Sequence, residues 1–384
     1  MKKALNRLVI YFPLLVAGGA AFSLSTLFSA MKPVLLTRFV EQVGLDESLA
    51  GLIVAMPFVG IACASFVARR LVNHISMRKL ALIFGSLLVA GELFSAYFFT
   101  QIYLILLVQF ACGVSVGILM GATSKRVATT QAPDQLFGFV DMTAVLFMSF
   151  MITGVGFAVS YAGLQGGYQF AAVVSFGFVC LMLFYREESV NNDPEGLIRH
   201  SKLALSVRPI AVVAMGIIFV TASGMGFAFM FSIAIGLGMD YGTAGSFIGT
   251  LVLFSAAACP LGGWCSSRFG PIKPLACAYI ACGIGWYFAI NAESQWMFMV
   301  ALIPAIFSLQ FNFPILLALS GSLDDEGQWA AIASPLLTSG FAWAAITAGF
   351  IVSLWGVAAL AWGTLIGMAI CLLLLFPARS NPLS

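Results

Sequence analysis

Charge is what this chain has least of. Only 9% of its 384 residues are Asp, Glu, Lys or Arg, against about 25% in an ordinary soluble domain. That is too little to coat a water-facing surface, and it excludes a soluble globular protein. It also excludes disorder, because disordered chains are charge-rich and poor in apolar residues. The net charge of +3 comes from scattered residues, so no basic stripe exists to hold nucleic acid. The eight cysteines form no C-x-x-C pair, and neither His74 nor His200 stands at zinc-ligand spacing. No metal site and no cofactor is expected, and the thiols read as small packing residues. H-E-x-x-H and Walker patterns are missing, which argues against an intramembrane enzyme.

What is present is apolar. Hydrophobic residues make up 61% of the chain, and the mean hydropathy is +1.04. A helix that crosses a bilayer needs about 20 apolar residues. Twelve such runs lie between the charge clusters, at roughly 8–31, 49–68, 80–99, 103–123, 137–160, 168–185, 209–235, 244–265, 274–292, 296–320, 330–353 and 357–377. They are read as helices, because an open strand in lipid leaves its backbone unpaired. An even number of spans puts both termini on one side. Of 18 Lys and Arg residues, all but Lys32 and Arg38 fall on that side. Positive residues are retained in the cytoplasm, so both termini are expected there, in a prokaryotic inner membrane. Met1–Met31 also has the layout of a secretory signal, with Lys2, Lys3, an apolar run and Ser29-Ala30. It is expected to stay, since its loss would break the repeat described next.

The longest polar stretch, Arg186–Arg208, divides the spans six and six. The two sides repeat at an offset of 194 residues. GLDESLAG at 44–51 matches GMDYGTAG at 238–245, and without a gap Lys79 falls on Lys273. Asp46 and Asp240 each precede a helix and are placed to cap it. The expected fold is therefore an all-α integral membrane protein of twelve transmembrane helices in two pseudo-symmetric six-helix bundles. Residues 1–185 form the first bundle, 186–208 a cytoplasmic linker and 209–384 the second bundle. Parallel six-helix repeats of this kind build one large class of transporters.

The stretch Gly262-Gly263-Trp264-Cys265-Ser266-Ser267-Arg268-Phe269-Gly270-Pro271-Ile272-Lys273 resembles the helix 8–9 loop signature of the major facilitator superfamily. Its first-bundle counterpart, Arg69 to Lys79, is a decayed copy in which Asn73 stands for the usual Asp. Ser267 replaces the Asp of the second copy. The resemblance implies a latch of helix ends on the cytoplasmic side, carried by Asn73, Gly263, Ser267, Arg268, Gly270 and Lys273. Alternatively, Arg268 and Lys273 serve orientation by charge alone. Two further family motifs are eroded: Gln109 stands where helix 4 commonly carries Arg, followed by Gly113, and Gly154–Val159 lacks the proline of the helix 5 antiporter motif. Gly113, Gly117 and Gly121 recur every four residues, as do Gly245 and Gly249, and Gly363 and Gly367. Small faces of this kind let helix backbones approach closely.

A charge within a span costs about 2.5–3.5 kcal/mol, so each one is a site hypothesis. Glu92 and Asp141 are the candidates for proton coupling; pairing within the protein is the other reading of each. Lys32 closes helix 1 on the outer side. It either reaches the central cavity, where it would attract an anionic group, or snorkels to the headgroups. By the family resemblance, Ser29, Gln109, Thr221, Gln310, Asn312 and Trp343 lie on cavity-lining helices. Gln310 and Asn312 also sit beside Pro314, which frees backbone groups. No Arg lies deep in a span, which disfavours a phosphorylated substrate. With 35 Phe and few amides, a mostly apolar cavity with polar anchors suits a small amphipathic or aromatic organic molecule. The reading is a monomeric secondary transporter working by alternating access, with such a molecule and protons as its partners in the lipid bilayer. A transport-dead sensor or scaffold on the same fold is the alternative.

Overall fold

The computed structural model describes residues 11–45, 47–184, 206–239, 241–324 and 327–379. Asp46, Asp240 and residues 186–205 of the expected linker lie outside the described residues.

The described chain is helical throughout. The first bundle comprises α1 (Phe12–Arg38), α2 (Glu47–His74), α3 (Met77–Phe98) and α4 (Ile102–Ala128). They are followed by one helical stretch, Pro133–Leu183, that bends sharply at Ala162 and Gly163. Its two apolar spans, Pro133–Val159 and Tyr161–Leu183, are α5 and α6. The second bundle has α7 (Val207–Gly236), then a span in two pieces, α8a (Tyr241–Ser255) and α8b (Ala258–Phe269). The remaining helices are α9 (Ile272–Ile290), α10 (Gln295–Gly321), α11 (Gln328–Trp355) and α12 (Ala359–Ala378). Eleven spans among the described residues are long and apolar enough to cross a bilayer. α2 completes the twelve: its 28 residues extend about 42 Å, more than the roughly 30 Å hydrocarbon core.

Two of the expected boundaries differ. The expected loop between spans five and six is a kink in one helical stretch. Gly163 takes φ 59° there, and the Leu164 N–H donates to Gln42 Oε1 at 3.0 Å. Gln42, in the turn after α1, thus supplies the acceptor that the start of α6 requires. The eighth span, expected as one helix, breaks at Ala256-Ala257. Pro260, in the first turn of α8b, is tolerated because no helical acceptor awaits its missing N–H.

The same pairings occur in both bundles. α1 packs on α5, α2 on α4 and α3 on α6; α7 packs on α11, α8b on α10 and α9 on α12. Each pair in the second set is the first shifted by six helices, which is the repeat seen in three dimensions. Small residues set the closest approaches. A Cβ on Gly113 would overlap the Pro57 carbonyl of α2, and one on Gly117 would meet Ala64 and Ile61. Gly249 faces open space. The outer helices show apolar stripes to the surroundings, Ile280, Ile284 and Phe288 on α9 and Trp362, Ile366 and Ile370 on α12. That spacing is one helical face turned to lipid.

The bundles meet along α2 with α11 and along α5 with α8b, and also where α4 and α5 touch α11 and α10. The last two contacts gather at the end that carries Lys125, Arg126, Arg268 and Lys273, here termed the basic end. There Gly121 of α4 lies against the Ala331 carbonyl of α11, and Gly327 lies against the Lys125 carbonyl.

Candidate functional site

Lys32 sits near the outer end of α1 and points inward. Its Nζ lies 3.4 Å from the Phe341 carbonyl oxygen of α11, in the opposite bundle, and donates to it. The same ammonium stands 5.8 Å from the centroid of the Phe58 ring on α2. Phe58 and Phe341 face each other at 6.5 Å. Among the described residues, no carboxylate pairs with Lys32. Beside it, α1, α2, α4 and α6 enclose a crevice of about 10 Å³ that Lys32, Pro57, Gln109 and Tyr168 help to line. That volume holds at most a single water. Ser29, one turn deeper on the same face of α1, is half-buried.

Glu92 of α3 is completely buried in the first bundle, facing Gln109 and Cys112 of α4. Neither carboxyl oxygen has a hydrogen-bond partner, and both neighbours bond elsewhere. Gln109 donates its amide to Ser95 Oγ at 2.9 Å, and the Cys112 thiol points to the Leu88 carbonyl at 3.8 Å. Gln109 therefore stands between the Glu92 carboxyl and the crevice beside Lys32.

Asp141 lies elsewhere, on the face of α5 that meets the second bundle. It is buried, faces Cys259 at the break of the eighth span, and leaves Oδ2 without a partner. It belongs to a seam. Asp134, two turns away on α5, accepts a 2.6 Å hydrogen bond from Ser266 Oγ. Between them, Gly138 packs on Cys259 and Pro260 backbone. Gly263 packs on the Asp134 backbone, while its neighbour Gly262 packs on the Phe311 carbonyl of α10. α5 and α8b run antiparallel, so residues 134, 138 and 141 meet 266, 260 and 259 in turn. Adjacent glycines let α8b fit between α5 and α10 at once.

The latch residues divide accordingly. Gly263 is in the seam, and Gly270, at φ 73°, ends α8b. The crossing hydrogen bond is made by Ser266, one residue before the expected position. Ser267 is exposed and donates to the Trp264 carbonyl of its own helix. Arg268 does not reach across; it lies over the rings of Trp264 and Phe269, at 5.8 and 5.9 Å. Lys273 is exposed at the start of α9. The Asn73 side chain lies outside the described residues.

The remaining expected site residues are dispersed. Thr221 donates to the Gly340 carbonyl at 3.3 Å and joins α7 to α11. Gln310 is buried, and Asn312 is fully buried with both amide atoms unpartnered. Trp343 lies away from the others. It shares an exposed stripe with Ile346, Phe350 and Leu354, on the side of α11 opposite Phe341, where an aromatic ring meets lipid. Phe58, Phe341, Tyr168, Asp134 and Ser266 were not singled out in the sequence. The acidic first turn of α5, Pro133-Asp134, was the available signal for one of them.

Two six-helix bundles of parallel repeat, meeting along α2–α11 and α5–α8, define a transporter of the secondary, alternating type. The sequence profile of the Major Facilitator Superfamily matches residues 14–325, and the chain belongs to that family. Among solved structures it is similar to the FucP transporter in its outward conformation, at TM-score 0.70 and 16% identity over 95% of this chain and 99% of that one. It is also similar to the proton:xylose symporter XylE bound to 6-bromo-6-deoxy-D-glucose, at TM-score 0.71 and 15% identity over 94% and 93%. The human organic anion transporter MFSD10 (TETRAN) matches at TM-score 0.68 and 16% identity over 97% and 98%. Among curated proteins, no sequence matches the chain.

Proposed function

We propose that the chain moves a small organic anion with an apolar or aromatic body across the cytoplasmic membrane by alternating access, with Lys32 as its anchor. The observation that carries this reading is the Lys32 ammonium itself. It lies inside the protein, between the bundles, against a carbonyl and an aromatic ring and, among the described residues, with no carboxylate partner. An uncompensated interior cation costs several kcal/mol, and an anionic ligand removes that cost. Phe58 and Phe341 supply the apolar walls. The crevice is too small for such a ligand, so binding requires Phe341 to draw back from Phe58, as a rocking of the bundles would do. The organic anion transporter among the similar structures supports the substrate class. A sugar, which the proton:xylose symporter among the similar structures carries, needs many free polar groups. Here Gln109, Thr221 and Ser223 spend theirs on neighbouring helices.

Coupling to protons is assigned to Asp141 ahead of Glu92. Asp141 faces the opposite bundle across a seam that must open when the bundles rock. Glu92 is enclosed within one bundle. The lopsided basic residues support cytoplasmic termini, with the basic end inward and a bundle boundary at 186–208.

Thermal shift of the purified chain with panels of anionic, zwitterionic, neutral and cationic organic molecules tests the anchor. A ligand that binds only the folded state raises Tm with concentration. One anionic class should stabilise the wild type and fail to stabilise Lys32→Ala. Equal stabilisation of both would return Lys32 to a structural role.

A further inference from the structure

One cavity in the described structure lies away from the interface between the bundles. It is a groove of about 560 Å³ on the outer surface of the second bundle, walled by α8b, α9 and α10. Its cause is local. The three helices turn small side chains to one another, Ala258 and Cys265 from α8b and Cys277, Ala278 and Ala281 from α9, with Phe307 and Phe311 of α10 behind them. Ridges that would fill the space between helices are missing, so a trough remains. Apart from Lys273 and the buried Ser308, its walls are apolar. Lys273 stands exposed at its basic end, and Arg268 lies beside it over Phe269, another wall residue.

We propose that this groove holds an acyl chain of an anionic phospholipid, whose headgroup phosphate sits at Lys273. The groove lies along bilayer-spanning helices, so hydrocarbon chains are its immediate surroundings. A trough of this size is in the range of about 300–1,000 Å³ typical of small-molecule sites. The charge is complementary: basic residues beside membrane helices attract anionic headgroups. The bound lipid also has a mechanical consequence. α8b carries the groove on one face and the seam with α5 on another, so a chain in the groove backs α8b against α5 and favours the closed seam.

The test uses the full chain, delipidated in a neutral detergent and titrated with phosphatidylglycerol or with phosphatidylcholine. Bound lipid is counted by native mass spectrometry, and Tm is read in parallel. The wild type should retain phosphatidylglycerol over phosphatidylcholine by about fivefold, the preference one surface cation gives. Lys273→Glu should remove the preference. Ala281→Trp should fill the trough and remove retention of both lipids. Lys79→Glu, the counterpart of Lys273 in the first bundle, should behave as wild type. Should Ala281→Trp fail to fold, Leu261→Trp at the exposed rim replaces it. Equal retention of the two lipids by the wild type, or undiminished phosphatidylglycerol retention in the groove-filling variant, would overturn the proposal.

Discussion

The Ser266 hydroxyl donates a 2.6 Å hydrogen bond to the Asp134 carboxylate and ties the second bundle to the first at the basic end. One turn back along α8b, Gly263 rests on the Asp134 backbone. Both contacts belong to the conformation in which the seam is closed. A hydrogen bond to a charged group contributes about 1.5–3 kcal/mol, which is tenfold or more in an equilibrium between open and closed.

Ser266→Ala should therefore shift the seam toward open, and Gly263→Val should do so further, since its added atoms overlap Asp134 backbone. Buried Cys259 reports the change. Its alkylation rate, read peptide by peptide by mass spectrometry, should rise about tenfold in Ser266→Ala and more in Gly263→Val. Ser267→Ala, whose hydroxyl stays within its own helix, should leave the rate unchanged. An unchanged rate in Ser266→Ala would remove the hydrogen bond from the seam's closing energy.

The same substitution at two glycines should have opposite signs. Gly113→Ala puts a methyl group into the Pro57 carbonyl, where backbone must move, and overpacking of this kind costs about 1–3 kcal/mol. Gly249→Ala meets open space in the interior of α8a, where alanine favours helix by about 1 kcal/mol over glycine. Tm should fall in the first and rise in the second. A fall in both would mean that α8a needs its glycine for something other than packing.

How much of this was legible in the sequence follows from the solvent. Lipid forces every span to satisfy its own backbone, so apolar runs and basic loops located the twelve helices, and loop punctuation exposed the repeat. Side chains that meet across bundles leave no such trace. Ser266 and Ser267 are equivalent in composition, and only the helical phase of α8b puts the first against Asp134 and the second in the open. Trp343 was ambiguous for a similar reason, because an aromatic ring suits both a cavity and lipid. Its spacing to Ile346, Phe350 and Leu354 was the discriminating signal. The crevice at Lys32 joins residues from four helices of the first bundle, a juxtaposition that periodicity along one helix does not encode.

The two membrane carboxyls should separate in transport. Asp141 faces Cys259 of the opposite bundle with one oxygen unpartnered, so its protonation state bears on whether the seam opens. Among the described residues, Glu92 lies within the first bundle and meets nothing from the second. In proteoliposomes, Asp141→Asn should abolish accumulation driven by an inward proton gradient while keeping substrate exchange, which needs no net proton movement. Glu92→Gln should retain gradient-driven accumulation. The reverse pattern would transfer coupling to Glu92 and its link through Gln109 to the Lys32 crevice.

Asn312 presents the sharpest conflict between stability and use. Its amide is fully buried on α10 with neither atom hydrogen-bonded, and an unsatisfied buried polar group costs about 1–3 kcal/mol. A leucine, with the same branching and the same number of side-chain heavy atoms, lacks that penalty. If the amide serves only packing, Asn312→Leu gains stability and loses nothing. If it meets the substrate when the bundles separate, the penalty of the empty state is the cost of a ligand contact. Asn312→Leu should therefore raise the Tm of the empty protein and at the same time reduce the ligand-dependent rise seen in the wild type. A higher Tm with an undiminished ligand shift would assign Asn312 to the interior alone.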